Sequence, residues 1–407
     1  MQRLPGARMR LAAAFGPGLL VMLADTDVSS VATAAQSGAQ WGYRLLALQF
    51  LLAPVLYVAQ ELAARLGLAT GRGYARLVRE TYGAPAAWLC VAALGVSCFA
   101  ALATQIAGLA GIGLLFGAPR GATIASVVAV ILAMVWTRAY QAVERIAIGL
   151  GLFELAFLVV AWRSAPDGGR MLAEAIAPPL ANASFLTLIA ANIGACVMPW
   201  TLVYQQSAVV AKGLTTGDVW RMRLDTAAGA VLCQVITAAI LIAAAASLGH
   251  AGAGGIGDIA EIARALTDSL GPPVGRTIFA LGLSGSALAA TIVICLALAW
   301  TIGEMSGFAG PPRRPDQTPG FAPAFSCALA AGGLVVALYP DIVGLAIGAA
   351  LINAVLLPPI LLFLFALARR RLPAELRLGH VETAIVAGLF LLTGGLALAC
   401  GMAGFFS

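Results

Sequence analysis

Apolar runs long enough to cross a bilayer, at about 20 residues per helix, alternate with short polar breaks along this chain. They predict membrane-spanning helices over 14–35, 44–67, 86–116, 121–138, 146–163, 182–208, 225–248, 274–302, 322–339, 341–367 and 381–405, eleven in all. Linker-like stretches are confined to 164–181, 249–273 and the Pro-rich 309–321, so residues 1–407 read as a single membrane domain. The first run has the length of a secretory leader but carries two acids in its middle and lacks a small-residue cleavage site, so it is expected to stay in the mature protein.

Polar, helix-breaking residues interrupt this pattern in two spans. The first holds Asp25-Thr-Asp27-Val-Ser29-Ser30, and the sixth, five spans later, holds Asn192-Ile-Gly194 and Met198-Pro199. Transporters built from two inverted five-helix repeats place discontinuous helices at corresponding positions of the two halves and bind substrate where those helices unwind. The expected fold is therefore all-α, with a first repeat over about 14–163, a second over about 182–367 and an extra helix over about 381–405. An acid at mid-membrane costs about 2.5–3.5 kcal/mol on insertion scales, so it requires a partner, water or a cation. Pro199 lacks a backbone donor and clashes with the carbonyl of Ala195. In lipid the oxygens freed around Ala195 and Cys196 need another partner, which a cation supplies; a plain proline kink is the competing reading.

Composition agrees with a lipid-facing surface: 61% of residues are hydrophobic and 10% charged, with a mean hydropathy of +0.95. Most of the 24 Lys and Arg fall on one side if the amino terminus is cytoplasmic: Arg3, Arg8 and Arg10, then Arg65, Arg72, Arg76, Arg79, Arg138, Arg145, Lys212, Arg221, Arg223, Arg313, Arg314, Arg369 to Arg371 and Arg377. Arg44, Arg120, Arg163, Arg170, Arg264 and Arg276 fall on the other, among Asp258, Glu261 and Asp268. By the positive-inside rule the carboxy terminus is then outside. The net charge of +6 reflects topology, since no soluble domain offers a clustered basic face for nucleic acid. The seven cysteines lie in apolar spans without C-x-x-C spacing and read as buried thiols. Only His250 and His380 exist, both at span ends, which disfavours a His-based metal site. The Gly252-to-Gly257 cluster has no strand before it, and no hydrolase, metalloprotease or Walker motif appears; an enzyme is not expected.

Longer stretches carry a resemblance. Gly16-Pro-Gly through Asp25-Thr-Asp27-Val-Ser-Ser30 to Thr33, Gly38-Ala-Gln-Trp-Gly-Tyr43, Arg65-Leu-Gly-Leu-Ala-Thr-Gly71, Gly194-Ala-Cys-Val-Met-Pro199 and Arg223-Leu-Asp225-Thr resemble the NRAMP divalent-metal transporters over nearly the whole chain. The resemblance implies a LeuT-like 5+5 inverted repeat plus one helix, with metal held between the first and sixth helices. It also shows departures. Asp27-Val28-Ser29-Ser30 stands for the family's Asp-Pro-Gly-Asn, Met198-Pro199-Trp200 for its Met-Pro-His, and Tyr204-Gln205-Gln206-Ser207 lies where a second His is usual. The family's proton-route acids of the third helix align with Ala101 and Thr104. In these departures the chain is similar to the NRAMP-related magnesium transporters, which implies Mg2+ or Mn2+ as cargo, no cofactor and no proton coupling.

The implied metal ligands are Asp27, Ser30, the Ala195 carbonyl and Met198, with Asp25, Ser29, Gln205, Gln206 and Asn353 as outer-shell or pathway candidates. Hard oxygen ligands suit hydrated Mg2+, whereas a directly bound Met198 thioether would favour softer metals. Asp27 as a helix-capping acceptor, Asn353, Thr33 and Gln36 as interhelical bonding groups, and Met198 as wall packing are the structural alternatives. Glu154 and Glu304 are expected to be buried in pairs with Arg or backbone, and Arg221, Arg223 and Asp225 in a fold-stabilising ion pair. Trp200 cannot titrate, which fits uncoupled transport.

The expected protein is a multi-pass carrier of a bacterial-type plasma membrane, importing divalent cations by alternating access. Its expected partners are the ion and the bilayer. A proton-coupled Mn2+/Fe2+ importer, a passive divalent cation channel and an amino-acid/sodium symporter are the alternatives. The last is disfavoured because Asp27 would repel a substrate carboxylate.

Overall fold

A computed structural model describes residues 16–137, 140–248, 256–267, 270–306 and 318–405. Arg3, Arg8, Arg10, Arg138, His250, Asp268, Arg313, Arg314 and Gly252 of the glycine cluster lie outside these residues. The described chain is helical. In order come α1 (Gly16–Asp25), α2 (Val28–Trp41), α3 (Leu46–Thr70), α4 (Tyr74–Tyr82), α5 (Ala84–Leu115), α6 (Arg120–Thr137), α7 (Tyr140–Gly151) and α8 (Ala156–Arg163). Then follow α9 (Gly168–Ala175), α10 (Ala183–Cys196), α11 (Pro199–Ala211), α12 (Val219–Leu248), α13 (Ile259–Thr267), α14 (Pro272–Met305), α15 (Phe321–Leu338), α16 (Ile342–Arg371) and α17 (His380–Phe405).

Ten stretches of helix among the described residues are long and apolar enough to cross a membrane. The first of the eleven expected spans is not among them, because it divides at Thr26–Asp27 into α1 and α2, each shorter than a full crossing. The sixth divides likewise between α10 and α11. The fifth tightens at Leu152–Leu155 into a 3-10 turn between α7 and α8.

The broken helices lie at the centre. α2 packs along α12, α10 along α16 and α17, α11 along α3, and α14 against α1, α5 and α7. Gly194 of α10 faces the Ala350 carbonyl of α16 so closely that a Cβ has no room, the close backbone approach that small residues permit between membrane helices. Outward-facing side chains are large and apolar, among them Leu51, Trp88, Trp136, Trp162 and Leu391, as lipid contact requires.

Ionic ties join helices distant in the chain. Glu61 accepts from Arg65 (2.7 Å) and from Arg223 Nε (2.8 Å), and Arg65 also reaches Glu382 at 2.6 Å, joining α3, α12 and α17. Arg223 thus takes part in an ion pair that ties the fold together, with Glu61 as its partner. Elsewhere Glu174 of α9 accepts from the Tyr43 amide (2.8 Å) and from Arg170 Nε (2.6 Å). The turn there needs Gly42, whose φ of +60° few side chains tolerate.

Three further expectations change or sharpen. Cys327 of α15 is exposed while the other six cysteines are buried; apolar spans near the rim of the bundle present alternate positions to lipid. Among the described residues Glu154 pairs with neither Arg nor backbone: its Oε2 accepts from Thr26 Oγ1 at 2.5 Å, because the 3-10 turn brings it against the first break. Glu304 accepts from the Arg76 amide (3.1 Å) and Ser207 Oγ (3.3 Å), a backbone pairing as expected.

Candidate functional site

The first break begins where α1 ends at Asp25. Asp27 is extended (φ −64°, ψ 179°) and caps α2: its Oδ1 accepts from the Ser30 amide at 3.0 Å. Its Oδ2 accepts from Gln105 Nε2 of α5 at 2.7 Å, and the residue is fully buried. Capping satisfies one of the orphan donors at a helix start, and the positive end of the helix dipole favours the carboxylate there.

At the second break α10 ends at Cys196, Val197 and Met198 are extended, and α11 opens with Pro199. Proline suits this first helical position, where an amide hydrogen would lack an intrahelical acceptor anyway. The two breaks meet through one hydroxyl. Ser30 Oγ lies 2.7 Å from the Asp25 carbonyl and 2.9 Å from the Ala195 carbonyl.

Asp25 is 2% exposed. Its Oδ2 accepts from Gln60 Nε2 at 3.3 Å, the same amide lying 3.2 Å from Thr201 Oγ1, and its Oδ1 has no hydrogen-bond partner. Two small cavities, each about 10 Å³, share this residue. One is lined by Asp25, Gln60, Gln205 and Thr226 among others, the second by Asp25, Ser30, Ala195, Cys196 and Gln234 among others. The amide oxygens of Gln60, Gln205 and Gln234 are likewise buried without a donor. Among the described residues neither Asp25 nor Asp27 forms an ion pair with a basic side chain.

Of the residues singled out in the sequence, Asp25, Asp27, Ser30 and Ala195 thus come together. Met198 is fully buried but lines neither cavity. Gln205 lines the first cavity, whereas Gln206 donates to the Arg72 carbonyl at 3.1 Å, away from both. Ser29 Oγ donates to the Ala346 carbonyl of α16 (2.9 Å) and Asn353 Oδ1 accepts from Ser97 Oγ of α5 (2.6 Å), both interhelical bonds. Gln36 accepts from the Ile256 amide at 2.8 Å, while Thr33 Oγ1 is unpartnered. Gln60, Gln105, Gln234 and Thr201 were not singled out. Their signal was present: a lone amide in a long apolar run is costly unless it has a role.

Two broken helices meeting back to back at mid-bundle around buried carboxylates define a membrane transporter of the inverted-repeat kind. Residues 18–403 match the family described as natural resistance-associated macrophage protein-like, and the chain belongs to this Nramp family. The divalent metal cation transporter MntH of Bradyrhizobium diazoefficiens is 32% identical over 304 residues, covering 71% of this chain and 67% of that protein. Among solved structures, an Eremococcus coleocola manganese transporter matches with a TM-score of 0.70 at 19% identity, over 99% of this chain and 90% of that one. Mhp1, a nucleobase-cation-symport-1 family transporter, matches at 0.61 and 14%, over 97% and 90%. These structural likenesses establish the LeuT-like fold that the resemblance implied. Nramp proteins are metal transporters rather than enzymes.

Proposed function

We propose that this protein carries divalent cations, Mg2+ and Mn2+ foremost, into the cytoplasm by alternating access between its two repeats, with the amino terminus inside and the carboxy terminus outside. The cargo binds where the breaks meet, in the neighbourhood of Asp27, Ser30, Ala195 and Met198. The observation that carries this reading is a pair of buried carboxylates with no basic partner among the described residues, beside oxygens that lack donors. Buried charge without a counter-charge is strongly destabilising, and a divalent cation supplies the counter-charge. Oxygen-rich surroundings suit hard ions that keep part of their water. The named cargoes of the relatives, divalent metal cations and manganese, agree with it.

Membrane potential suffices as driving force, since a divalent ion gains about 4.6 kcal/mol across 100 mV. Uncoupled movement is supported by Trp200 and Gln205, neither of which titrates. A second, proton-coupled reading has one observation in its favour: Glu154, fully buried, bonds directly to Thr26 within the first break. Flux into proteoliposomes of Mg2+, Mn2+, Ca2+ or Zn2+ with a pH-sensitive dye inside decides. Saturable Mg2+ and Mn2+ uptake with counter-flow and no internal acidification is expected. Acidification that Glu154→Gln abolishes establishes the coupled reading, and non-saturable flux without counter-flow a channel.

A further inference from the structure

We infer that the groove between α3, α12 and α17 is a binding site for one phospholipid whose headgroup carries both a phosphate and a primary ammonium, as an ethanolamine lipid does. Arg223 takes the phosphate, Glu382 takes the ammonium, and the acyl chains lie on the apolar walls beyond them. The site is separate from the two breaks and does not depend on which cargo they bind.

The groove has a volume of about 540 Å³, within the range of small-molecule sites. Its lining changes character along the helices. Charged residues line it near helix ends: Glu382 in the first turn of α17, Arg223 in the second turn of α12 and Arg65 near the end of α3. Tyr57 and Val58 of α3 and Ile385 and Val386 of α17 line it farther from those ends, about one helical turn, or roughly 5 Å, nearer mid-membrane. Val381 and Ile385 are exposed, so the groove opens on the outer surface of the bundle. A charged end at the helix termini and an apolar end towards their middle match a phospholipid lying in its leaflet, and pockets between membrane helices are known to hold headgroups in this way.

Charge placement selects the headgroup. Arg223, Glu61, Arg65 and Glu382 form a chain of alternating sign, linked at 2.8, 2.7 and 2.6 Å. The inner two members are spent. Both Glu61 oxygens accept from arginines, and Arg65 uses Nε on Glu61, Nη2 on Glu61 and Glu382, and Nη1 on the Leu376 carbonyl. Their side chains are 5% exposed, against 34% for Arg223 and 42% for Glu382. Arg223 bonds through Nε alone, which leaves its two terminal nitrogens without a partner among the described residues. Glu382 Oε2 has only the Gly379 amide at 3.4 Å, longer than a normal N–H···O bond. One end of the chain thus offers donors to a phosphate, and the other offers an acceptor to an ammonium. A headgroup that is only anionic meets the Glu382 carboxylate with like charge, and a trimethylated amine has no N–H to give it.

The test uses the purified full-length chain in detergent, titrated with dioleoyl phosphatidylethanolamine, phosphatidylcholine and phosphatidylglycerol and read by native mass spectrometry. Equal acyl chains leave the headgroup as the only variable. The parent is expected to hold the ethanolamine lipid about tenfold more tightly than either of the others, the worth of one charge-assisted hydrogen bond. Glu382→Gln is expected to level the ethanolamine and choline lipids. Arg223→Gln is expected to weaken both about tenfold and keep their ratio, whereas a merely structural role for the two residues would move all three lipids together. An ethanolamine lipid with a photoreactive acyl chain is expected to label residues 57–65 and 378–386, which line the groove. Equal retention of the three lipids by the parent, or labelling confined to other helices, overturns the inference even if neither variant folds. O-phosphoethanolamine, the same headgroup without chains, is expected not to displace the lipid at equal concentration; displacement would overturn the lipid assignment in favour of a soluble zwitterion.

Discussion

Replacing Asp27 separates its structural work from its charge. Asp27→Ala removes the acceptor for the Ser30 amide, a capping loss of about 0.5–2 kcal/mol. It also removes the charged acceptor of Gln105, a bond of a class worth about 1.5–3 kcal/mol, although Gln105 Nε2 keeps the Ala101 carbonyl at 3.2 Å. The expected cost is therefore about 2–5 kcal/mol. Asp27→Asn keeps the cap, since Asn caps as well as Asp. Gln105 can then turn its amide so that the presently unpartnered Oε1 accepts from the new side chain. What remains is the exchange of a charged for a neutral bond, about 1–2 kcal/mol. Thermal unfolding in detergent, followed by intrinsic tryptophan fluorescence at one scan rate because such unfolding is commonly irreversible, should rank the parent first, Asn next and Ala clearly last. Equal transition temperatures for the Ala and Asn variants would refute the assignment of Asp27 as the cap of α2.

Arg65→Met leaves Glu382 without its partner and Glu61 with Arg223 alone. Because the Arg65 and Glu61 side chains are both 5% exposed, the loss is expected near the lower end of the 3–5 kcal/mol typical of a broken buried pair, about 3 kcal/mol. The same unfolding assay reads it, and an unshifted transition would contradict the network. Burial works against the charge of Glu174, but the Arg170 hydrogen bond, the Tyr43 amide and the Arg170 and Arg44 charges prevail and hold its carboxyl below the usual range. A depressed carboxylate stabilises above its unfolded pKa, about 4.3, and that contribution fades as pH falls through the lower folded value. Protection of Gly168–Ala175 against hydrogen exchange, corrected for the intrinsic pH dependence of amide exchange, should therefore fall below about pH 4.3 in the parent, and Glu174→Gln should flatten this dependence.

Much of the architecture was legible because lipid imposes a strict rule on backbone and side chains. Apolar run lengths set the spans, and the helix-breaking residues at Asp25 to Ser30 and at Met198-Pro199 located both interruptions. Asn353 makes the interhelical bond that was the alternative to its pathway role, whereas Gln36 takes the Ile256 amide ahead of α13 rather than a helical partner, and Thr33 Oγ1 takes none. Ten of the eleven expected spans stand as full-length apolar helix among the described residues, the first being divided by the break that the sequence located. What sequence spacing does not encode is which way a side chain points once the backbone leaves helical geometry. The resemblance set Asp27 apart from Asp25, but that Asp27 caps the start of α2 while Asp25 closes α1 is shown only by where the two helices end. Gln60, Gln105 and Gln234 come from three separate helices, so nothing local in the chain announces that two of them surround Asp25 and the third holds Asp27. Glu154 was misjudged for the same reason, its partner Thr26 being 128 residues away.

The hydroxyl of Ser30 has a consequence for any motion that parts the two breaks. It bridges the last residue of α1 and the end of α10, and a lipid-buried carbonyl cannot be abandoned without replacement. Were the breaks drawn apart, the Asp25 carbonyl, five residues from Ser30 in the same break, would keep this donor, whereas the Ala195 carbonyl would lose it and need water or a cation in its place. Separation of the two helix ends and wetting of Ala195 would then be one event.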